Sequence, residues 1–161
     1  MNIKQLNILL ADDDMDDCIF FRQAVEDLLS PNNLKVVHDG EQLMQYLTND
    51  AIALPHVLFL DINMPRKNGF ECLSEIKQSE KLKQLPVIMF STSFEQEVIN
   101  QLYQNGAQYF IRKPSEFSQF KKIIQETLAL IVQDLSFDKT GKVSQPAKEN
   151  FVLLVEKYNQ L

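Results

Sequence analysis

Glycine and cysteine are both scarce in this chain. It has four glycines among 161 residues and contains no GxGxxG or GxxxxGK motif. Because such glycine-rich loops let the backbone close around phosphate groups, their absence argues against a flavin- or nucleotide-binding domain. The two cysteines, Cys18 and Cys72, lie far apart and form no CxxC pair. A zinc site or a disulfide framework is therefore not expected.

Long apolar runs and an excess of basic charge are also missing. No stretch approaches the roughly 18 apolar residues of a transmembrane helix. The N-terminal apolar run is too short for a secretory signal and lacks a cleavage site. The net charge of -6 argues against attachment to nucleic acid or to an anionic membrane, which requires a basic face. We therefore expect a cytoplasmic protein with neither nucleic acid nor membrane as a partner.

Short apolar runs alternate with amphipathic stretches through most of the chain. The runs predict β-strands at Asn7–Ala11, Leu34–Val37, Val57–Leu60, Val87–Phe90 and Tyr109–Arg112. The stretches between them predict helices at Asp14–Leu29, Glu41–Thr48, Gly69–Gln78 and Phe94–Gln104, and a last helix that begins near Ser115. Strict alternation with short links predicts an α/β fold, a (βα)5 arrangement with five parallel strands between two helix layers.

This alternation ends after Val132. The polar stretch 133–146 is rich in turn residues and predicts a loop. In 147–161 apolar residues recur at helical spacing, which favours a short helix, although "NFVLLV" within it is equally compatible with a strand. We therefore divide the chain into one domain, 1–132, and a C-terminal extension, 133–161, which is too short to be a separate output domain.

Acidic residues follow two of the predicted strands. Asp12 and Asp13 come directly after the first strand, and Asp61 comes directly after the third. Since the carboxyl ends of parallel strands meet at one edge of the sheet, we expect these three carboxylates to lie close together. They would repel one another unless a cation joined them. Oxygen ligands without histidine or thiol favour Mg²⁺, with Mn²⁺ as the alternative.

Three further aspartates, Asp14, Asp16 and Asp17, have a structural explanation. Asp14 stands where a helix N-cap is expected, and all three fall in the first turn, where negative charge complements the helix dipole. We assign these three residues to the start of the first helix and not to the metal site.

Two more strand ends carry polar groups. Ser91 follows the fourth strand, and its hydroxyl can donate a hydrogen bond to an anionic oxygen. Lys113 follows the fifth strand, and its ammonium can neutralise a phosphoryl oxygen or a carboxylate. Lys113 precedes Pro114, and the sequence leaves open whether this peptide bond is cis or trans.

Four segments together resemble the response-regulator receiver domain of two-component signalling. They are "ILLADDD", "VLFLDINMPRKNG", "PVIMFSTS" and "GAQYFIRKP", and the resemblance runs from about Leu6 to Leu128. The residues around the second and third segments further resemble single-domain regulators that partner phytochrome-like kinases. The resemblance implies a flavodoxin-like, doubly wound fold with strand order 2-1-3-4-5.

The resemblance also implies a role for each acidic residue of the predicted site. Asp61 would accept a phosphoryl group from a sensor histidine kinase or a phosphotransfer protein. Asp13 and Asp61 would bind Mg²⁺ directly, together with the backbone carbonyl of Asn63. Asp12 would bind the metal through water.

Two further roles concern the transmission of the signal. Ser91 and Lys113 would contact the phosphoryl group, and Ser91 and Phe110 would form a switch. This switch would alter the face made by the fourth helix, fifth strand and fifth helix, which is the expected surface for a protein partner or a homodimer. Phe110 stands where the family frequently has tyrosine, so the switch would act by packing alone. The protein would not be an enzyme beyond catalysing its own phosphorylation and dephosphorylation.

Two alternatives compete with this prediction. A degenerate receiver could serve as a constitutive protein-binding module, although the intact acids, hydroxyl and lysine argue against degeneration. A Mg²⁺-dependent phosphatase or phosphotransferase would carry a second aspartate two residues after its nucleophile, and this chain has Asn63 there.

Overall fold

The computed structural model describes residues 5–93, 95–137 and 143–154. Five strands and five helices alternate along the chain, and a sixth strand follows near its end. Their bounds are β1 Leu6–Ala11, α1 Met15–Glu26, β2 Asn32–Val37, α2 Gly40–Thr48, β3 Val57–Asp61, α3 Gly69–Gln78, β4 Val87–Ser91, α4 Gln96–Gln104, β5 Tyr109–Arg112, α5 Phe117–Phe137 and β6 Val152–Leu153. The predicted start of the fourth helix, Phe94, lies outside the described residues.

All strands of the sheet are parallel, in the order β2-β1-β3-β4-β5-β6. The predicted α/β class and the order 2-1-3-4-5 are confirmed, and the sheet extends by one strand beyond the five that the sequence predicted. Every residue of β3 and β4 is buried, as expected of parallel strands covered on both faces.

The sheet separates two hydrophobic layers. On one face, side chains such as Leu9 and Leu60 pack with residues of α2, α3 and α4. On the other, Ile8 and Phe59 pack with residues of α1 and α5. Because successive strand residues point to opposite faces, β1 and β3 contribute to both layers. This packing fixes the strand ends that carry the candidate site.

Helices α1, α2 and α3 all begin at the carboxyl edge of the sheet with a capping side chain. The Asp14 carboxylate accepts hydrogen bonds from the backbone N–H groups of Asp16 and Asp17, so the predicted N-cap is confirmed. Asp39 caps α2 in the same way. Asn68 and Glu71 form a reciprocal capping box at the start of α3.

Residues 143–154, which we call the C-terminal segment, do not form the predicted helix. A short 3-10 turn at Lys148–Asn150 leads into β6, so the predicted helix is wrong over 147–154 and the strand alternative is right for Val152–Leu153. The physical reason is the edge of β5, whose backbone groups need partners. The Phe110 N–H donates to the Phe151 carbonyl over 3.0 Å. Residues 155–161 of the predicted helix lie outside the described residues.

Helix α5 continues past Val132, where the sequence predicted a loop, and spans Phe117–Phe137. Its last turns have tertiary contacts that local sequence does not reveal. The Tyr109 hydroxyl donates to the Asp134 carboxylate over 3.0 Å, and Leu130 and Leu135 pack against the core on the α1 and α5 side. No helix in the described ranges is both long enough and apolar enough to cross a membrane.

Candidate functional site

The carboxyl edge of the sheet brings together the polar residues that the sequence placed at strand ends. Asp12 and Asp13 follow β1, Asp61 ends β3, Ser91 ends β4 and Lys113 follows β5. β1, β3, β4 and β5 are consecutive in the sheet. The predicted convergence therefore occurs, and it follows from the parallel topology.

Asp12, Asp13 and Asp61 form an acidic group whose ligand oxygens lie within 4.8 Å of one another. Asp12 is 0% exposed and Asp61 is 6% exposed, whereas Asp13 is open to solvent. Three carboxylates at this separation suit a hard divalent cation, and the exposed side leaves space for the water ligands that Mg²⁺ retains. The donor set therefore fits the predicted metal.

Lys113 lies at the centre of the acidic residues. Its Nζ is 2.9 Å from Asp12 Oδ2, 2.9 Å from Asp17 Oδ2 and 3.5 Å from Asp61 Oδ1. The same ammonium lies 4.8 Å from the ring centroid of Phe90. Burial alone would lower the pKa of Lys113, but the charges of Asp12 and Asp61 and the hydrogen bonds to the aspartates outweigh it and raise that pKa. Lys113 is therefore a fixed positive charge.

We refer to Asp12, Asp13, Asp17, Asp61 and Lys113 as the carboxyl-edge cluster.

The peptide bond between Lys113 and Pro114 is trans, which answers the question that the sequence left open.

The two buried carboxylates of this cluster resist ionisation. Burial raises the pKa of Asp61 to about 7; the Lys113 charge opposes this rise, and Asp12 adds to it. A backbone hydrogen bond from Asn63 to Asp61 also opposes it. Burial likewise raises the pKa of Asp12, against the lowering effect of Lys113. A bound divalent cation would favour the ionised form of both residues.

Asp17 is the cluster residue that sequence reasoning missed. It lies in the first turn of α1, as predicted for the three helix-start aspartates, but its carboxylate also contacts Lys113. Asp14 and Asp16 show no such contact among the described interactions. Nothing in the sequence identifies Asp17, and not Asp16, as the residue that reaches Lys113, because this depends on how α1 is rotated against the end of β5.

The two predicted switch residues are buried. Ser91 is 1% exposed, and its Oγ accepts a hydrogen bond from the Ser93 N–H over 3.1 Å. Its carbonyl accepts from the Lys113 N–H over 2.8 Å. Phe110 is 0% exposed and belongs to the core layer on the α2 to α4 side. Through its backbone, Phe110 joins β6, so the switch position lies directly beside the C-terminal segment.

The loop after Asp61 approaches α3 very closely. A Cβ atom at Gly69 would lie 2.4 Å from the Asp61 carbonyl oxygen, a separation that real Cβ contacts do not show, so only glycine fits there. The Gly69 N–H donates to the Ile62 carbonyl over 2.8 Å. The Asn63 backbone lies in this loop and is close enough to hydrogen-bond to the Asp61 carboxylate.

A doubly wound parallel sheet that collects carboxylates from its first and third strands, and a lysine from its fifth, is the architecture of a receiver domain. Residues 8–125 match the family model of the response regulator receiver domain. The chain belongs to this family and is a component of two-component signalling.

Similar proteins agree with this assignment. The probable methanogenesis regulatory protein FilR2 of Methanothrix harundinacea is 30% identical over 122 residues, which cover 74% of this chain and 79% of that protein. The phosphorylated cyanobacterial phytochrome response regulator RcpA matches with a TM-score of 0.75 and 30% identity, covering 80% of this chain and 94% of that one.

A further solved structure bears on the metal. The Mn²⁺-bound form of the response regulator Rcp1, a protein of Synechocystis, matches with a TM-score of 0.72 and 25% identity, covering 88% of this chain and 99% of that one. The predicted resemblance to single-domain, phytochrome-associated regulators is thus confirmed.

Proposed function

We propose that this protein accepts a phosphoryl group on Asp61 from the phosphohistidine of a sensor histidine kinase or a phosphotransfer protein. The observation that carries the proposal is the Asp61 carboxylate, which lies within the acidic group and 3.5 Å from the Lys113 ammonium. A nucleophile and a fixed positive charge at this distance suit a transfer in which charge develops on the phosphoryl oxygens.

Asp13, Asp61 and the backbone carbonyl of Asn63 would hold Mg²⁺, or Mn²⁺, and Asp12 would reach it through water. This division of roles is supported by the contacts of Asp12, whose Oδ1 accepts from the Asp14 N–H and whose Oδ2 accepts from Lys113. Asp13 is exposed and can turn toward an ion. When bound, the cation would neutralise charge on the phosphoryl oxygens.

In the proposed step, a carboxylate oxygen of Asp61 attacks phosphorus, the P–N bond of the phosphohistidine breaks, and the imidazole leaves with the electron pair. Asp61 must be ionised to attack, which its burial disfavours. Lys113 supplies the opposing charge from this chain, and hydrolysis of the acyl phosphate by water returns the carboxylate. The protein would therefore catalyse its own phosphorylation and dephosphorylation and no other reaction.

The output is proposed to run through Ser91 and Phe110 to the face made by α4, β5 and α5. In this structure the C-terminal segment covers part of that face. The Tyr103 hydroxyl donates to the Pro146 carbonyl over 2.8 Å, and the Phe151 ring lies 5.0 Å from that of Tyr103. We therefore propose that the C-terminal segment extends the surface offered to a partner or a second copy, and that the extension 133–161 is not a separate domain.

The experiment is the labelling of the full chain by acetyl phosphate. In the presence of Mg²⁺, intact-mass measurement should show one added phosphoryl group on the wild type and none on Asp61→Asn. Asp50→Asn is a matched control, because Asp50 is an exposed aspartate paired with Lys81, and it should label as the wild type does. Equal labelling of Asp61→Asn would overturn the assignment, and a wild type that never labels would favour the constitutive binding module.

A further inference from the structure

The loop that connects Asp61 to α3 contains a backbone turn that is unusual for its residue. The Lys67 N–H donates to the Pro65 carbonyl over 2.7 Å, which closes a three-residue γ-turn around Arg66. Arg66 has a φ of 69° and is the one residue other than glycine with positive φ in the described ranges. Such turns are rare and strained for residues with a side chain, so other contacts must hold this one in place.

The Arg66 side chain spans from this turn to the start of α2. Its Nε lies 3.5 Å from Asp39 Oδ2, and its Nη1 lies 3.7 Å from Glu41 Oε2. Asp39 is buried, and its other oxygen accepts the Gln42 N–H over 2.8 Å as the helix cap. The arginine is therefore paired with a carboxylate whose position the helix fixes.

The backbone beyond the turn fits against the same helix. A Cβ atom at Gly40 would lie 2.1 Å from the Lys67 carbonyl oxygen and 2.6 Å from Lys67 Cβ. Only glycine allows this approach. The start of α2 thus contacts the turn at two points. Gly40 packs closely against Lys67, and the cap residue Asp39 forms an ion pair with Arg66.

We propose that Arg66, Asp39 and Gly40 are positioning residues that hold the strained turn, and through it the Asn63 backbone, in register with Asp61. The inference rests on the proposed function, in which the Asn63 carbonyl is a metal ligand. Asn63 lies between buried Ile62 and buried Met64. The position of its backbone therefore depends on how the two ends of the loop are held. Loosening the turn would displace that carbonyl and weaken Mg²⁺ binding.

The sign of the effect separates positioning from simple electrostatics. Arg66 is positive, so by charge alone its removal would strengthen Mg²⁺ binding. If Arg66 positions the loop, its removal would weaken Mg²⁺ binding. The double variant Arg66→Gln/Asp39→Asn leaves the net charge of the pair unchanged, so its affinity reports the geometry of the loop. Asparagine is also a good N-cap, so α2 keeps its cap in this variant.

The test is calorimetric Mg²⁺ titration of the full chain, with thermal unfolding as a check on folding. Loss of groups that orient metal ligands commonly weakens affinity by tenfold or more, so we expect the double variant to bind Mg²⁺ about tenfold more weakly than the wild type. The matched control is Lys81→Gln/Asp50→Asn. It removes an exposed ion pair of 2.8 Å between loops that precede β3 and β4, at the opposite edge of the sheet, and it should leave the affinity unchanged.

A third variant ties the effect to the turn. Arg66→Gly removes the ion pairs but adopts positive φ without strain, so it should lose less affinity than Arg66→Gln. Wild-type affinity in the double variant, or tighter binding in Arg66→Gln, would overturn the inference. So would an equal loss in Arg66→Gly and Arg66→Gln. A wild type that does not bind Mg²⁺ at all would instead count against the proposed function.

Discussion

The carboxyl-edge cluster and the C-terminal segment are held in place by different forces. In the cluster, Lys113 is surrounded by carboxylates at 2.9 to 3.5 Å, and its integrity depends on which groups carry charge. The C-terminal segment is joined to α4, to the residues just before β5 and to β5 itself by neutral hydrogen bonds, and by the fully buried ring of Phe151. The stability of the carboxyl-edge cluster should therefore depend on pH and on bound cations. The stability of the C-terminal segment should instead depend on how well its side chains pack.

The largest effect on stability is expected from Phe151→Ala. Truncation of a fully buried phenylalanine typically costs about 3 to 5 kcal/mol, and the loss should appear as a lower free energy of unfolding in a denaturant titration. Mg²⁺ affinity should remain within about twofold of the wild type, because Phe151 contacts no cluster residue among the described interactions. A large loss of Mg²⁺ binding in a folded variant would show that the two regions are coupled.

A somewhat smaller loss of stability is expected from Lys113→Met without Mg²⁺. Removing one partner of a buried ion pair costs about 3 kcal/mol, and here it leaves Asp12, Asp17 and Asp61 to repel one another. Denaturant titrations with and without Mg²⁺ measure the effect, and added Mg²⁺ should recover part of the loss. The same loss at saturating Mg²⁺ as in its absence would contradict a role for charge.

The cluster aspartates should differ sharply in metal affinity. Asp13→Ala should weaken Mg²⁺ binding by about a hundredfold, since a direct ligand is lost, whereas Asp17→Ala should change it only a few-fold. Calorimetric titration measures both. Comparable losses would show that Asp17 is itself a ligand and that the proposed ligand set is wrong.

Only some of the contacts in the carboxyl-edge cluster can be predicted from the sequence. Asp12, Asp61, Ser91 and Lys113 could be placed together because each stands at the carboxyl end of a strand, and parallel topology brings these ends to one edge of the sheet. The contact between Asp17 and Lys113 could not be predicted, because it depends on the rotation of a helix about its axis.

The C-terminal segment shows a different limit. Phe151 and its neighbours recur at helical spacing, but Val152–Leu153 forms a strand because it pairs with the edge of β5, whose backbone groups need partners. Local periodicity carries no information about such a partner. The turn at Arg66 could not be predicted from the sequence either, since arginine has no preference for positive φ.

Below neutral pH, metal binding should follow the protonation of Asp61. Its pKa is raised to about 7 without a cation, so Mg²⁺ must displace a proton, and apparent affinity should rise with pH up to about 7 and then level off. The stability of the metal-free protein should show the opposite pH dependence. A carboxyl pKa raised above its usual 3.8 favours folding at acid pH, and this contribution is lost as pH rises from about 4 to about 7. Affinity that does not vary with pH over this range would contradict the raised pKa.

The smallest effect is expected from Gln145→Ala. The Gln145 side chain donates to the carbonyls of Tyr103 and Ala107 over 2.9 and 2.6 Å, and its loss should reduce the free energy of unfolding by about 1 kcal/mol. Hydrogen exchange at the Phe110 amide, which donates to Phe151, should become faster. An unchanged exchange rate would show that the Gln145 hydrogen bonds do not help to hold the segment against β5.

Asp61 is the residue proposed to receive the phosphoryl group, and peptide mapping can identify the phosphorylated residue. The full chain would be labelled with acetyl phosphate and Mg²⁺, the acyl phosphate reduced with borohydride, and the modified residue located by tandem mass spectrometry. We expect a single modified residue, Asp61, and no modification when Mg²⁺ is chelated. Modification of Asp12 or Asp13 in its place, or labelling that does not depend on the cation, would contradict it.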